Sequence, residues 1–323
     1  MQLIETEQDF FKIQEKLAFI PLFQSKAWFN YQNNGKKSFV FLVDNKQDVS
    51  IALWGVVRSI PILKQKILLV NSISRKRGLS EKVVKKFFNE FLSHEFDAIE
   101  INDGTAYDIE FEIGIRRAGF FRPVNLTACP LSIVVDFERP FNFDRNWKRN
   151  IKKAIKADLQ FMELKKVHET AQLISDLHLE TAKTKKLNYH FDAESVFRCI
   201  KNECIRVFAV KSEQMILAVR VVYVKGNYSE DLIAANSFKS RANGATQFLM
   251  QNIFETLQSE GIKTFDFSRI PPSNHATDSV YTFKNATRGN KIQYNGEWVF
   301  YKSKIIEYFM AFYKCMILKK QRY

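Results

Sequence analysis

Asp266 and Lys284 are two charged residues of this chain whose settings make them candidate site residues. Asp266 lies in a short alternating stretch, 264–267, that predicts a strand after the turn at Gly261. Lys284 stands among aromatic residues at the exit of a polar loop, a common place for functional groups. Such a lysine can stabilise the oxyanion of a tetrahedral intermediate, and a carboxylate can orient an attacking amine or take its proton. The alternative is an ion pair between Asp266 and Lys284 that ties the loop to the strand.

A second candidate is the basic segment 145–157, which predicts an amphipathic helix. Its apolar residues recur at helical spacing and predict one narrow stripe. They are Trp147, Ile151, Ala154 and Ile155. The remaining face is basic and could bind phosphates, although an ordinary solvated face would look the same. The residues predicted to bind phosphate here are Lys148, Arg149, Lys152 and Lys153.

A third candidate is the loop 237–246, directly before a helix predicted over 244–258. The first N–H groups of a helix have no partner within the helix, so a loop of this kind can hold an anion. Arg241, Asn243 and Gly244 are the residues predicted to do so. The alternative is an ordinary strand-to-helix turn in which Asn243 caps the helix.

Several kinds of site are not expected. The five histidines and four cysteines lack the spacing of a metal site, so no metal is predicted. The chain has no phosphate-binding Walker loop, no dinucleotide fingerprint and no nucleophile elbow. There is no long apolar run that could span a bilayer and no secretory signal at Met1, so we predict a cytoplasmic protein with free thiols.

The charge balance points to an anionic partner. Lysine and arginine exceed aspartate and glutamate, 49 to 35, for a formal net charge of +14. This favours a nucleic acid such as tRNA, an anionic or carrier-linked precursor, or a phospholipid surface, and it does not choose among them.

The last predicted helix, 305–318, is rich in aromatic residues and is followed by a basic end. It predicts one of two roles. The helix could close the core of its own domain, or the segment 305–322 could touch the inner face of a membrane as a peripheral contact.

Hydrophobic periodicity alternates between helical and strand spacing along the whole chain, which predicts an α/β or α+β fold with two similar halves. The predicted helices cover 7–16, 81–94, 109–118, 145–157, 169–184, 193–201, 244–258 and 305–318. The predicted strands cover 38–44, 50–58, 66–70, 98–101, 125–137, 160–164, 205–211, 215–224, 228–235, 264–267 and 296–301. At this length two domains are expected, 1–139 and 140–323, divided where Pro140 follows a long strand.

Several short motifs, taken in order, resemble the FemABX group of GNAT-like acyltransferases and its relatives in surface-polysaccharide loci. They are Phe23-Gln24-Ser25-x-x-Trp28, Arg117-Ala118-Gly119-Phe120, Arg149-Asn150-Ile151-Lys152-Lys153-Ala154, 261–267, Phe283-Lys284 and Tyr294-x-Gly296-Glu297-Trp298. The resemblance implies two tandem GNAT-like domains and transfer of an acyl or aminoacyl group to an amine. It also implies that Lys284 is the lysine proposed to steady the tetrahedral intermediate.

The resemblance leaves the donor open. Bridge-forming members use aminoacyl-tRNA as the donor and a muramyl peptide on a nucleotide or lipid carrier as the acceptor. This chain has Ser268 and Arg269 where the family commonly has two glycines, and Thr287-Arg288-Gly289 where it has Phe-Gly-Gly. The segment 241–246 matches only part of the GNAT pyrophosphate loop, so acyl-CoA is the other candidate donor.

Three functions therefore remain open. The first is an acyl- or aminoacyltransferase that forms an amide on a cell-envelope peptide or sugar precursor. The second is an acyl-CoA-dependent N-acyltransferase that acts on an amino sugar in surface-polysaccharide synthesis. The third is a non-catalytic GNAT pair that binds anionic glycan precursors or a membrane.

Overall fold

Helices and strands alternate along the chain in the computed structural model, which describes residues 1–60, 65–92, 96–123, 128–185, 189–213, 215–272 and 278–320. The strands are β1 (Gln2–Ile4), β2 (Ser38–Val43), β3 (Ile51–Ile60), β4 (Gln65–Asn71), β5 (Ser74–Arg75), β6 (Ala98–Ala106), β7 (Leu131–Asp136), β8 (Gln160–Glu163), β9 (Ile205–Ser212), β10 (Met215–Lys225), β11 (Tyr228–Asn236), β12 (Thr264–Arg269) and β13 (Asn290–Tyr301). The helices are α1 (Glu7–Gln14), α2 (Lys26–Gln32), α3 (Glu81–Phe91), α4 (Ile109–Arg117), α5 (Arg145–Lys156), α6 (His168–Lys185), α7 (Ala193–Ile200), α8 (Ala245–Ser259), α9 (Asp278–Asn285) and α10 (Lys304–Lys320). The predicted α/β fold class is confirmed.

One mixed sheet runs through the molecule. Its order is β1-β2-β3-β4-β6-β13-β7-β12-β11-β10-β9-β8, and β5 pairs with β3 beside this path. Two neighbouring pairs are parallel, β4 with β6 and β11 with β12. A parallel pair needs a crossover, which α3 supplies in the first case and α8 in the second. The two crossovers give the halves of the chain the same plan.

The halves exchange their last strands. Strand β7, which follows α4 of the first half, pairs with β12 of the second half. Strand β13, which follows α9 of the second half, pairs with β6 of the first half through Tyr294–Tyr301 and with β7 through Asn290–Gln293. Trp298 on β13 is fully buried in the core of the first half. The predicted division into 1–139 and 140–323 stays a prediction, because the sheet is continuous across it.

Two layers of helices cover the second half of the sheet. Helices α5 and α8 pack on one face, around Phe254, Phe265 and Phe267. Helices α6 and α7 pack on the other face, around Val207, Val219 and Ile233. Successive residues of a strand point to opposite faces, so neighbouring residues of β11 and β12 enter different layers.

The basic helix α5 forms as predicted, with one correction. Asp144 caps it by accepting a hydrogen bond of 2.7 Å from Trp147 N–H. Trp147, Ile151 and Ala154 are buried, whereas Ile155 is 62% exposed, so its place in the apolar stripe was wrong. Ile155 follows Ala154 by 100° around the helix, which turns it out of the buried arc.

The Phe23-Gln24-Ser25-x-x-Trp28 motif has a structural role. The buried Gln24 side chain donates to Trp54 O at 3.0 Å and to Asn71 O at 2.8 Å, and accepts from Trp54 N–H. Ser25 caps α2 by accepting from Trp28 N–H at 3.2 Å. Gln24 therefore ties the start of α2 to β3 and to the end of β4.

Helix α10 lies against β4 and β6. Ile306 and Met310 are buried with Ile67 and Ala98. Lys314 Nζ lies 3.0 Å from Glu100 Oε1, and both side chains are largely buried. In the part of the chain that the structure describes, no helix combines the length and apolar character that a bilayer span requires.

Candidate active site

Strands β11 and β12 part within the second half of the sheet. Their parallel register holds from Tyr228–Thr264 to Glu230–Asp266, after which β11 continues to Asn236 without a paired residue on β12. Strand β12 bulges at this point, because Ser268 takes a positive φ of 58°. Ligands of open α/β sheets commonly bind where parallel strands diverge at their carboxyl ends. Asp266, predicted as a site residue, lies at this opening.

Two buried carboxylates stand side by side at the opening. Asp266 and Glu230 are register partners, so they point to the same face, and each is nearly inaccessible. Asp266 accepts hydrogen bonds from Ser132 Oγ at 2.5 Å, from Tyr294 OH at 2.9 Å and from Ser268 N–H at 2.8 Å. Glu230 accepts one from Tyr228 OH at 2.9 Å. Sequence analysis missed Glu230, because nothing along the chain reveals a partner 36 positions away.

The carboxylate pair holds a proton at neutral pH. Burial raises the pKa of Glu230 to about 8, and the neighbouring charge of Asp266 adds to the rise. Burial also raises the pKa of Asp266, while the hydrogen bonds from Ser132 and Tyr294 and the charge of Lys284 oppose the rise. Two adjacent buried carboxyl groups cannot both ionise at low cost. The hydrogen bonds to Asp266 favour its charged form, so a proton on the pair is favoured on Glu230.

The proton on Glu230 gives a prediction about stability. Its pKa is about 8 in the folded chain, against an ordinary value of 4.5 that the unfolded chain would show. Between these values the folded state holds more protons, so raising the pH lowers the free energy of unfolding. Glutamine does not titrate. We therefore expect the free energy of unfolding to fall less steeply with pH in Glu230→Gln than in the wild type between pH 5.5 and 8.5. The two slopes should differ by up to about 1.4 kcal/mol per pH unit.

Urea unfolding at several pH values measures this difference. The exposed Glu203 provides the matched control, because Glu203→Gln removes a carboxyl group that stays in solvent. Parallel pH profiles for Glu230→Gln and the wild type would mean that Glu230 is ionised in the folded state.

Lys284 lies in the last turn of α9, so its predicted place at the exit of a loop was wrong. The part of the predicted loop at 273–277 lies outside the described residues. Lys284 Nζ donates to Phe267 O at 2.6 Å and to Arg269 O at 2.8 Å, on either side of Ser268. Burial lowers its pKa to about 8. Among the described residues, Nζ has no third hydrogen-bond partner.

The ion pair considered between Asp266 and Lys284 does not form within the described part of the chain. The two residues instead hold the same bulge from different sides, since Asp266 binds Ser268 N–H and Lys284 binds the carbonyls of Phe267 and Arg269. The ammonium charge still lowers the pKa of Asp266. Asp266 and Lys284 therefore belong to one candidate site, in which the charge of each acts on the other without an ion pair.

Arg220 and Asp231 form a second charged pair near Lys284. Their closest atoms, Nη1 and Oδ2, are 3.8 Å apart, and both side chains are buried. Arg220 Nε and Asp231 Oδ1 are buried and have no hydrogen-bond partner among the described residues. Asp231 raises the pKa of Lys284 and Arg220 lowers it. Unpaired buried polar atoms are rare in folded proteins, and here both belong to residues whose charges act on Lys284.

A cavity of about 80 Å³ lies at the start of α8. Its lining residues are Thr181, Asn236, Ser237, Phe238, Ser240, Arg241 and Thr246. Ser237 Oγ is buried without a hydrogen-bond partner in the described part of the chain. The cavity therefore joins an arginine, an unpaired hydroxyl and a helix N-terminus, which together suit a phosphate group.

Asn243 and Gly244 do not line this cavity. Gly244 is the N-cap of α8 with a φ of 68°, and Asn243 makes no capping hydrogen bond. A Cβ atom on Gly244 would lie 2.1 Å from Asn150 O, so only glycine allows α8 to start this close to α5. The predicted phosphate ligands Lys148, Arg149, Lys152 and Lys153 are exposed on α5 and lie outside the cavity lining.

In the first half of the chain, a carboxylate binds the start of the helix that corresponds to α8. Helix α3 occupies the place that α8 has in the second half, and its first N–H group, Glu81 N–H, donates to Glu110 Oε2 at 3.1 Å. Glu81 also forms an ion pair with Arg117. A carboxylate of the chain itself thus stands where the second half has a cavity.

Among the described residues, no group of three or more histidine, cysteine or acidic side chains is arranged to hold an ion. That the chain uses no metal stays a prediction.

The fold is similar to that of several solved structures. The match to FemX spans 96% of this chain and 100% of the FemX chain, with a TM-score of 0.76 and 12% identity. The match to L-PGS from Bacillus licheniformis spans 95% of this chain and 96% of the L-PGS chain, with a TM-score of 0.64 and 13% identity. The match to a tandem GNAT protein from the clavulanic acid biosynthesis pathway spans 91% of this chain and 93% of that protein's chain, with a TM-score of 0.51 and 12% identity. The predicted FemABX-like, tandem GNAT-like fold is therefore confirmed.

The likeness is one of fold. No family model matches the sequence, and no curated protein matches it either.

Proposed function

We propose that this chain transfers an acyl or aminoacyl group to an amine on a cell-envelope peptide or sugar precursor. The observation that carries the proposal is the partly buried Lys284 ammonium at the point where β11 and β12 part, which binds two carbonyl groups and has no third partner among the described residues. The FemX-like and tandem GNAT-like fold supports acyl transfer as the class of reaction.

The geometry suggests how the reaction would proceed. The neutral amine nitrogen bonds to the carbonyl carbon of the donor, and the carbonyl oxygen becomes an oxyanion. Lys284 donates its third proton to that oxyanion in a hydrogen bond, which stabilises the intermediate. The intermediate collapses with cleavage of the carbon–sulfur or carbon–oxygen bond to the donor, and the proton lost by the amine ends on the leaving group. The products are an amide and a free thiol or hydroxyl.

Asp266 supports this step from a distance. Its carboxylate is buried and already accepts hydrogen bonds from three protein groups, so it is poorly placed to take a proton from the amine. It fixes the bulge at Ser268 and supplies negative charge that favours the ammonium form of Lys284. We therefore assign Asp266 a positioning role and Lys284 the catalytic role.

The cavity at α8 would hold the phosphates of the donor. Arg241, Ser237 Oγ and the first N–H groups of α8 provide charge and hydrogen-bond donors in one place. This arrangement favours a donor with a pyrophosphate, such as acyl-CoA, as the first to be tested. Aminoacyl-tRNA is the second, and the exposed lysines of α5 next to the start of α8 would suit its longer phosphate backbone.

Thermal unfolding with acetyl-CoA tests the donor site. At about 100 times its dissociation constant, a ligand adds roughly 2.7 kcal/mol to the free energy of unfolding, which raises the melting temperature by several degrees. We expect this rise in the wild type and a smaller one in Arg241→Ala. The matched control is Arg77→Ala, an exposed arginine in front of α3 in the first half.

The outcomes separate the remaining functions. A rise with acetyl-CoA, followed by release of free thiol on adding amino sugars, would establish the acyl-CoA-dependent reaction. If CoA has no effect and charged tRNA protects the chain, aminoacyl transfer is favoured. Binding of anionic glycan precursors without turnover of any donor would contradict the proposal and leave a non-catalytic binding protein.

A further inference from the structure

Helix α10 presents two opposite faces of different character. Ile306, Met310 and Lys314, spaced by four residues, hold one face against the sheet. The opposite face carries large apolar side chains at spacings of three and four, and all are exposed. They are Ile305, Tyr308, Phe309, Phe312, Tyr313 and Met316.

This face is a continuous patch and not a set of scattered residues. Ile305 is 74% exposed, Tyr308 72% and Phe312 67%, values usual for charged surface residues. Monomeric proteins rarely display contiguous apolar patches of this kind unless a partner or a membrane covers them. The helix is also fixed in place, since Glu100 binds both Lys314 Nζ and Tyr301 OH. The patch therefore has a defined orientation.

Charge and composition decide between occupants. The chain carries a net charge of +14, so two copies would repel each other across this face. The one acidic residue of the helix, Glu307, is paired with Lys304 at 2.9 Å. Lys302 precedes the helix, and Lys319 and Lys320 end it. Tyrosine and phenylalanine on one face with lysines at the ends are the composition that suits the interface of an anionic bilayer.

We propose that α10 docks on an anionic lipid surface through the face formed by Ile305, Tyr308, Phe309, Phe312, Tyr313 and Met316. The helix lies in the plane of the interface, with its aromatic side chains among the acyl chains and Lys302 near lipid phosphates. The opposite face stays on β4 and β6, so docking needs no rearrangement of the fold.

Co-sedimentation of the full chain with lipid vesicles tests this inference. We expect binding to vesicles of mixed phosphatidylglycerol and phosphatidylcholine, and much weaker binding to phosphatidylcholine alone. The double variant Ile305→Ser/Phe312→Ser should lose at least about tenfold in vesicle affinity, since two large side chains no longer enter the apolar layer. Ile109→Ser, at a residue 61% exposed on α4, should bind as the wild type does.

The other results would overturn the inference. They are equal binding to both kinds of vesicle, equal loss in Ile109→Ser, and unchanged binding in the double variant. A wild type that forms dimers, with a monomeric double variant and no vesicle binding by either, would assign the face to a second copy of the chain. Thermal unfolding of each variant confirms that it is folded, since all three substituted side chains are exposed.

Discussion

Replacing Lys284 by alanine is expected to lower the turnover number by about 10²–10³-fold. This is the usual effect of removing one oxyanion donor, roughly 3–4 kcal/mol of transition-state stabilisation. The fold should survive, because the charge is costly to bury and its loss offsets the two hydrogen bonds to Phe267 O and Arg269 O. Turnover with the donor found by thermal unfolding, measured beside the melting temperature, separates the two effects.

Lys291→Ala is the matched control for Lys284→Ala. Lys291 is an exposed residue of β13 whose ammonium group lies over the ring of Tyr281. Tyr281 is on α9, the helix that carries Lys284, but within the described part of the chain Lys291 makes no hydrogen bond to the bulge at Ser268. Its loss should leave turnover within about twofold of the wild type, as is usual for a surface substitution. Equal activity of Lys284→Ala and wild type would remove Lys284 from the mechanism and leave the fold-based proposal without its catalytic group.

The pH dependence of turnover gives Lys284 a second signature. Its pKa is about 8, and only the ammonium form can donate to an oxyanion. Turnover at saturating substrate should therefore fall as the pH rises through about 8. In Lys284→Ala the residual turnover should lack this fall. A fall that persists in the variant would belong to another group.

Separating the chain at the predicted domain boundary is expected to unfold both parts. The fragment 1–139 would lack β13, which pairs with β6 and brings Trp298 into the core of the first half. Its own β7 would lose its partners β12 and β13. Removing a buried tryptophan alone typically costs about 3–5 kcal/mol, a large share of the stability of a domain.

Expression of 1–139 and 140–323, alone and together, tests this expectation. Circular dichroism should show little ordered structure for each fragment alone, and recovery of the fold when both are mixed. In the intact chain, Trp298→Ala should lower the melting temperature of one shared transition. A stable fragment 1–139 with a cooperative melting curve would show that the exchanged strand is dispensable.

The sequence predicts elements well where periodicity is strong and the contacts are local. The stripe Trp147–Ile151–Ala154 identified α5, and the helix predicted to begin at residue 81 does begin there, as α3. Helix α9 was missed, since a polar loop and a short aromatic run give no helical period over eight residues. The strand predicted over 125–137 begins only at Leu131, and residues 124–127 lie outside the described ranges.

The candidate site was predictable in part, for the same reason. Asp266 and Lys284 were found from their own neighbours in sequence. Glu230 and Arg220 were not, because their roles come from the pairing of β10, β11 and β12 across the sheet. The exchange of β7 and β13 was equally hidden, since hydrophobic pattern predicts that a strand exists and not which strand it pairs with.

Two of the three positions at which this chain lacks a glycine common in FemABX proteins, 268 and 269, have a physical account. Ser268 takes a positive φ of 58°, which glycine adopts without strain. It is held there by the hydrogen bond from its N–H to Asp266 and by those from Lys284 Nζ to the carbonyls on either side. Arg269 donates to Cys129 O at 2.8 Å and to Asn102 Oδ1 at 2.5 Å, so it links β12 to the first half. Ser268 and Arg269 therefore make this bulge more rigid than two glycines would.

Glu110 makes the chain asymmetric in what it can carry. The carboxylate at the start of α3 is tethered, so it competes with any dissolved phosphate ester as though present at very high local concentration. Among the described residues, only the start of α8, of these two equivalent helix starts, has no carboxylate of the chain bound to it. With the donor site proposed above, the expected stoichiometry is one donor per chain.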